Sequence, residues 1–572
     1  EQLQEYLGAA PVALPLAHMG AAIYAEYQHR LAARGGVDFD DLIRLAYQIL
    51  TTDADFLARL RRQWPYVLED EAQDSSRSQE DILRLLADHP EGGWVRVGDP
   101  NQSIYYTFTN ASPRYLRDFM REAGVRCWEL PHSGRSQPSI IRLANALIEW
   151  TQQEHPIAAL RGELTPPFIE PSPPGDPQPN PPDAPQHVRL ISTAYTPEKE
   201  LQAVVKSVQG WMAQSEAHPD ATIAVLVPSN RRGAEVADAL RQAGIKTVEL
   251  LDNPPATRSA AEILGHVLRH LSRPTESRHL AELFADWHGL CTEEMALPKH
   301  TRAIVGWLGR LRYTEGFLWP MDGETGAGGL PAEVSGDARA MRLLVDFRER
   351  VRRWQTATVL PIDQLVLMVA QDLFTAPADL ALAHKLAVEL HTHQVLNPDW
   401  RLNELAEELE AIARNERRFM GFSEAAYEPR PGEVTVATMH RAKGLEWDRV
   451  HLTSVNDYDF PSAQPEDTYM AESWFIRDRL NLQAEALEQL RVLCEGMPSA
   501  YVEGVATQQA RLDYAAERLR LFYVGITRAR RELIITWNTG RAPENAGGRP
   551  PKGQALPFAA LMRRWQEGGG LT

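Results

Sequence analysis

Between Tyr66 and Ser76 the chain reads Tyr-Val-Leu-Glu-Asp-Glu-Ala-Gln-Asp-Ser-Ser, an apolar run that delivers carboxylates at Glu69, Asp70, Glu71 and Asp74. An apolar strand presenting two adjacent carboxylates at its C-terminal edge suits a particular chemistry. One carboxylate ligates Mg²⁺ bridging phosphate oxygens, and the next orients an attacking water. Taken alone, the stretch reads more readily as the acidic exit of a strand. A second strand-like run, Trp94-Val-Arg-Val, ends in Gly98-Asp-Pro-Asn-Gln-Ser-Ile-Tyr, which places the amide of Gln102 at a strand edge with Tyr105, Tyr106 and Phe108 behind it. Two strands ending in polar groups imply one ligand crevice at the carboxyl ends of a parallel sheet.

The 572 residues, 44% hydrophobic and 24% charged, are enough for several domains with buried cores. No run has the length of a membrane span, so the sequence predicts no membrane partner. Cys127, Cys291 and Cys494 form no CxxC pair, which excludes a zinc ribbon or disulfide framework and fits a reducing compartment. The net charge of -17 excludes a wholly basic surface but leaves room for a local basic groove.

Helical periodicity covers much of Glu1 to Gly36, then Leu42 to Leu50 and Gln79 to Ala87. A strand is predicted at Trp128-Glu-Leu, followed by His132-Ser-Gly-Arg-Ser and a helix from Pro138 to Trp150. From Pro166 to Pro185, ten of twenty residues are proline, predicting a semi-rigid extended linker. A second α/β unit follows, with strands at His187 to Ser192, Ile223 to Val227 and Ile245 to Leu250. From about Pro254 to Phe422 the pattern is helical, and the α/β pattern resumes at Val434-Thr-Val-Ala. Strands are expected at Arg449 to Leu452 and Leu533 to Thr536, with a polar helical excursion from Ala471 to about Ala515. The tail after Gly540 is rich in Gly and Pro and reads as loose, with one short helix near Pro557 to Trp565.

Six separated segments resemble, in order and in kind, the superfamily 1A DNA helicases of the UvrD/PcrA/Rep group. Asp70-Glu71-Ala72-Gln73-Asp74 resembles their Walker B motif, Gly98 to Tyr105 the third motif and Gly134-Arg135-Ser136 the fourth. Thr438-Met-His-Arg-Ala-Lys-Gly-Leu-Glu446 resembles the fifth and Tyr523-Val-Gly-Ile-Thr-Arg528-Ala the sixth. Val37-Asp-Phe-Asp-Asp resembles a segment between the early motifs. The resemblance implies an α/β fold of two RecA-like parallel-sheet domains with an all-helical insertion in the second. Residues 1–36 would be a helical piece of a first-lobe insertion, 37–160 the remainder of the first RecA-like domain and 161–186 a proline-rich linker. Residues 187–253 and 430–545 would form the second RecA-like domain, 254–429 the helical insertion and 546–572 a tail.

Carried over residue by residue, Asp70 would hold Mg²⁺ and Glu71 would activate water, while Gln73 and Gln102 would sense the γ-phosphate of ATP. Arg135 and Arg528 would stabilise charge on the transferring phosphate, because a planar guanidinium bonds phosphate oxygens at two points. In isolation Arg528 reads more readily as a surface ion-pair residue and Gln102 as a loop amide, and Arg135 reads also as a cap on the preceding strand's turn. Glu446 and Gly444 would contact nucleotide from the second lobe. Tyr105 and Phe108 would stack on single-stranded DNA bases, although Phe108 reads equally as core. The segment Tyr106-Thr-Phe-Thr departs from the family form. Thr438, His440 and Asn230 would touch the phosphate backbone, with a turn role at least as fitting for Asn230. The implied activity is ATP-dependent, 3′-to-5′ unwinding at single-strand/duplex junctions in repair, replication or recombination, in a bacterial cytosol at the nucleoid. The implied partners are DNA and repair or replication proteins.

The sequence contains no GxxxxGK[ST] phosphate loop and no Gly-Lys dipeptide. This predicts little ATP turnover by the chain alone and suggests a motor domain cut at its N-terminal side. The rival reading is a catalytically inactive relative that holds DNA or a partner passively. A fused nuclease is not expected after Arg528.

Overall fold

The computed structural model describes residues 13–88, 93–104, 112–213, 219–290, 298–321, 324–419, 427–465, 467, 476–477, 480–540 and 551–567. The chain divides into two compact units, one of Glu1–Pro228, Ala239–Val248 and Glu428–Thr572, the other of Ser229–Asp238 and Glu249–Tyr427. Among the described residues no helix is long and apolar enough to cross a membrane.

The first unit contains two α/β lobes. In its N-terminal lobe, β1 (Tyr66–Glu69) pairs in parallel with β2 (Gly93–Arg96), with Leu68 opposite Val95. The ionised side chains of this pair point inward. Arg96 bonds Glu69 at 2.7 Å, reaches Glu80 at 3.3 Å and lies over the Trp94 ring. The helix Arg77–Ala87 begins with a capping box between Ser76 and Gln79, which fixes how the chain leaves β1. The short strands β3 (His132–Ser133) and β4 (Glu170–Pro171) also pair in parallel. The segment Trp128-Glu-Leu, expected as a strand, is irregular, and Trp128 and Leu130 are exposed. The extended pairing begins at His132 instead, where Glu170 supplies the partner backbone.

The second lobe is a six-stranded sheet in the order β5-β12-β9-β6-β8-β7. Its strands are β5 (Val188–Leu190), β6 (Ile223–Val227), β7 (Thr247–Leu250), β8 (Val434–Thr438), β9 (Trp447–Leu452) and β12 (Ala529–Ile535). The pairings of β5, β12, β9, β6 and β8 are all parallel. Every residue of β6, β8 and β9 is buried, as expected of strands with both faces covered, although β9 includes Asp448, Arg449 and His451. Between β9 and β12 lie a small hairpin, β10 (Ile476–Arg477) with β11 (Leu480–Asn481), and the helices Leu482–Cys494 and Val505–Ile526. The fold is therefore α/β with parallel sheets, in the manner of RecA-like domains.

One segment differs from expectation, and two expected helices are docked. The proline-rich stretch is not a free spacer: Asn180, Asp183 and Ala184 hydrogen-bond to residues 133–139 of the N-terminal lobe. The tail carries a docked helix, Leu556–Glu567, whose Arg564 pairs with Glu149 and Glu154. The first described helix, Pro15–Ala33, packs Ala17 and Ala21 against Leu493, and Gln489 accepts from the backbone N–H groups of Leu16 and Ala17.

The second unit is helical, built from Pro255–Ser272, Ser277–Leu290, Ala338–Thr356, Ile362–Leu373, Pro377–Leu396 and Leu402–Ala413 with shorter helices between. Phe284, Trp287, Phe347 and Trp354 fill its core, with Phe284 edge-on to Phe347 at 5.1 Å. The indole of Trp354 donates to Asp372 at 2.7 Å, which satisfies its one buried polar atom.

Candidate active site

The parallel pairing of β1 with β2 places the two polar strand ends side by side. Immediately after β1, Glu71 takes a left-handed backbone conformation (φ 53°) that turns the chain into the short helix Ala72–Asp74. Asp70 stays exposed, with one carboxylate oxygen accepting from the Glu71 N–H at 2.9 Å. Gln73 is buried between the two strand ends. Its Nε2 donates to Glu71 at 2.5 Å, and its Oε1 accepts from the Asp99 N–H at 3.0 Å. Gly98 is required here by close approach, because a Cβ would overlap Gln73 Oε1 and crowd the Ala72 nitrogen. Gln102 in turn donates to Asp99 at 2.9 Å. Burial pushes the Asp99 carboxyl above its usual range, against the pull of Gln102 and the Asn101 N–H.

The facing residues come from the amino ends of β9 and β12. These strands pair with Trp447 opposite Ala529, and the Trp447 N–H donates to the Arg528 carbonyl at 3.0 Å. That register makes Glu446 and Arg528 neighbours although they are far apart in the chain. Arg528 is 1% exposed. Its guanidinium donates to neutral oxygens: Val524 O at 3.1 Å, Leu445 O at 3.3 Å, Thr527 Oγ1 at 3.1 Å and Gln102 Oε1 at 3.4 Å. Burial first, and then the charge of Arg135, push its pKa down to about 9. A buried cation held by neutral acceptors favours the arrival of an anion. Arg135 reaches across from the N-terminal lobe to Glu446 at 2.6 Å, and Arg530 lies 3.6 Å from the same carboxylate.

The loop from β8 to β9 supplies a second link. Lys443 places its ammonium 3.1 Å from Glu71 and also pairs with Asp74. Burial raises the Asp74 pKa, and Lys443 opposes that rise. Gly444 (φ +80°) follows in the left-handed region. Acidic groups at Asp70, Glu71 and Asp74 facing Arg135 and Arg528 form a site of opposed charge that fits a cation bound to phosphate. The chemistry of Asp70 and Glu71 thus suits Mg²⁺, whereas the sequence has no phosphate loop to hold the rest of a nucleotide. The sequence reading named Asp74 among the carboxylates but gave no role to it, Lys443, Asp99 or Arg520. The one available signal for Lys443 was its place beside Gly444 within the Thr438–Glu446 segment.

Residues 3–123 match the model of the UvrD/REP helicase N-terminal domain, and residues 400–540 match that of the UvrD-like helicase C-terminal domain. The chain belongs to the UvrD-like superfamily 1 helicases. It is 27% identical over 544 residues to the ATP-dependent DNA helicase UvrD2 of Mycobacterium tuberculosis, covering 93% of this chain and 56% of that protein. To UvrD1 of Mycobacterium leprae it is 25% identical over 573 residues, covering 91% of this chain and 61% of that protein. To PcrA of Leuconostoc citreum it is 34% identical over 137 residues, covering 24% of this chain and 18% of that protein. The chain thus spans little more than half the length of the relatives it matches along most of its own.

In this UvrD-like frame the structure draws Gln73, Gln102, Arg135, Glu446 and Arg528 into one cleft with Glu71, while Asp70 stands at its edge. The residues offered for DNA are more scattered. Tyr105 and Phe108 lie outside the described residues. Thr438 is buried at the end of β8, where its hydroxyl accepts from the Arg441 N–H at 3.3 Å. His440 lies 3.5 Å from the buried Glu517. Asn230 is in the helical unit, where it donates to Asp252 at 2.6 Å and accepts from the Asp252 N–H at 3.2 Å. Both ends of its amide are thus engaged by Asp252.

Another link joins the lobes behind the cleft. Arg520, buried on the helix that leads to Arg528, donates to the Ser103 carbonyl at 2.6 Å and pairs with Glu163. The Ser103 hydroxyl donates to the Gln73 carbonyl at 3.2 Å. The turn that carries Gln102 is therefore tied to both Gln73 and the Arg528 helix.

Proposed function

We propose that the chain forms the nucleotide-responsive cleft of an ATP-dependent DNA helicase that moves 3′ to 5′ on single-stranded DNA and opens duplex at junctions. The observation that carries this reading is the contact of Arg528 with Gln102, a buried cation held by neutral oxygens on the far side of the cleft from Asp70 and Glu71. Asp70 would hold Mg²⁺, which when bound neutralises charge on phosphate oxygens. Glu71 orients and deprotonates the attacking water once Lys443 releases its carboxylate. Arg528 and Arg135 receive the charge that develops on the transferred phosphoryl group. Gln102 and Gln73 bond the same turn that Arg528 and Arg520 grip, so a change in phosphate occupancy reaches both lobes. Repair or replication proteins are the partners this reading expects, in a bacterial cytosol at the nucleoid.

The test is single-strand-stimulated ATP hydrolysis by the natural gene product. Arg528→Ala should lower turnover by roughly 10³-fold or more, while single-strand binding, read by fluorescence anisotropy, stays within about twofold and weakens with salt. Normal turnover with lost DNA binding would overturn the assignment. The 572-residue chain alone should turn over little Mg-ATP, because no lysine-bearing loop cradles the β- and γ-phosphates. The missing GxxxxGK[ST] also favours a second reading, a passive DNA-binding relative, which predicts single-strand binding without turnover even in the natural product.

A further inference from the structure

The four residues around Arg135 are held from two sides. On one side lies the proline-rich segment. Asn180 Nδ2 donates to the Ser133 carbonyl at 2.6 Å and to the Ser136 carbonyl at 2.8 Å, the two carbonyls that bracket Gly134 and Arg135. Its Oδ1 accepts from the Ser172 N–H at 2.8 Å and from the Ser172 hydroxyl at 2.9 Å. Two carbonyls below and two donors above leave only one amide orientation that satisfies all four bonds. Gly134 packs so closely on the Gln178 carbonyl that a Cβ would overlap it. Beyond the bracket, the Ala184 N–H donates to Gln137 Oε1 at 2.5 Å.

On the other side lies β12. The Ser136 hydroxyl donates to the Ala529 carbonyl at 2.6 Å. The Gln137 N–H donates to the Arg530 carbonyl at 2.8 Å, and Gln137 Nε2 donates to the Arg531 carbonyl at 2.5 Å. These carbonyls are available because the β12–β9 register shifts between Ala529 and Glu532. The guanidinium of Arg135 is thus carried on a short backbone segment clamped between the proline-rich arm and β12, and it points at Glu446.

We infer that Asn180 is a positioning residue for Arg135, and that the proline-rich segment is a rigid arm of the cleft; the catalytic part of this inference rests on the ATP-hydrolysing reading above. Proline suits such an arm because its fixed φ lowers the entropy lost on docking. A displacement of about 1 Å in the groups it holds can cost on the order of 10²-fold in rate.

The experiment has two independent readouts. In the 572-residue chain, phenylglyoxal modification of each arginine is followed by peptide mass spectrometry. Asn180→Asp, which loses the two bonds donated to Ser133 and Ser136, and Asn180→Ala, which loses all four, should each raise the Arg135 modification rate by roughly fivefold or more. Glu446→Gln should do the same. Asn145→Ala cuts the same arm from a different anchor, where Asn145 bonds both backbone groups of Ile169, and should leave the Arg135 rate unchanged. An unchanged Arg135 rate in both Asn180 variants overturns the inference, and so does an equal rise in Asn145→Ala. In the natural gene product, Asn180→Ala should lower kcat by about 10-fold with little change in KM. Adding it to Arg135→Ala should lower kcat no further than Arg135→Ala alone. Full additivity overturns the inference. Absence of turnover in the unmodified product overturns the hydrolytic reading and leaves the modification rates to decide the positioning role.

Discussion

Two of the parallel sheets of the first unit differ in burial among the described residues. In the second lobe β6, β8 and β9 are buried along their whole lengths. In the N-terminal lobe the β1–β2 pair is covered on one face only, and the covered face holds Glu69 and Arg96 as an ion pair. The open face carries Tyr66, Leu68, Val95 and Val97, each about half exposed or more. Parallel strands are ordinarily covered on both faces, and the second lobe meets that rule with apolar side chains in β6 and, between β9 and β12, with the largely buried Arg449–Glu532 ion pair at 2.9 Å. The first pair is held by a buried charge network, helix packing and contacts from its neighbours. The largest expected effect tests the covered sheet. Leu226→Ala in β6, a fully buried side chain, should cost about 2–5 kcal/mol, read from hydrogen exchange of the β6 and β8 amides. A loss below about 1 kcal/mol would show that the second sheet does not depend on its burial.

The next effect lies where the open sheet meets the cleft. Gly98→Ala would drive a methyl group onto Gln73 Oε1, the atom that accepts from the Asp99 N–H. Overpacking of this kind typically costs about 1–3 kcal/mol. Exchange of the Asp99 amide and of the Ala72 amide, which is bonded to the Val97 carbonyl, should quicken while β6 and β8 stay protected. Unchanged exchange at both amides would mean that the strand ends are not packed as described. Exchange quickening through the whole unit would mean that the two sheets form one cooperative body and not two separate ones.

The contrast also explains what could be read from the sequence. Ile223–Val227 and the start of β8 at Val434 were legible because both are strongly apolar runs, and the α/β pattern of the second lobe followed from them. The beginning of β12 was not. Its first residues, Ala529 to Glu532, are mostly charged, so only the apolar end from Leu533 reads as strand. Trp128-Glu-Leu misled in the opposite sense, a strand-like alternation whose Trp128 and Leu130 lie irregular and exposed. The proline-rich stretch read as a spacer because proline content reports backbone stiffness, not the hydrogen bonds of Asn180 and Asp183. At the cleft, the motifs around Gln102, Arg135, Glu446 and Arg528 were visible as separate segments. The Lys443 link to Glu71 was not, because one lysine in a loop carries no periodicity or spacing that could reveal its partner.

The smallest expected effect tests the open face. Leu68 is 78% exposed and lies opposite Val95, itself 52% exposed. Leu68→Ser removes an apolar side chain already in water, so it should change stability by no more than about 0.5 kcal/mol. The inward neighbours Val67 and Glu69 keep their packing in this variant, so the register with β2 has no reason to slip. Removing one apolar residue from an exposed patch should also lower self-association, read as a weaker concentration dependence of sedimentation. A cost above about 1 kcal/mol would mean that Leu68 is covered in solution by other polypeptide. The two sheets would then follow the same rule of burial, and the charge network around Arg96 would no longer be needed to explain how β1 and β2 stay together.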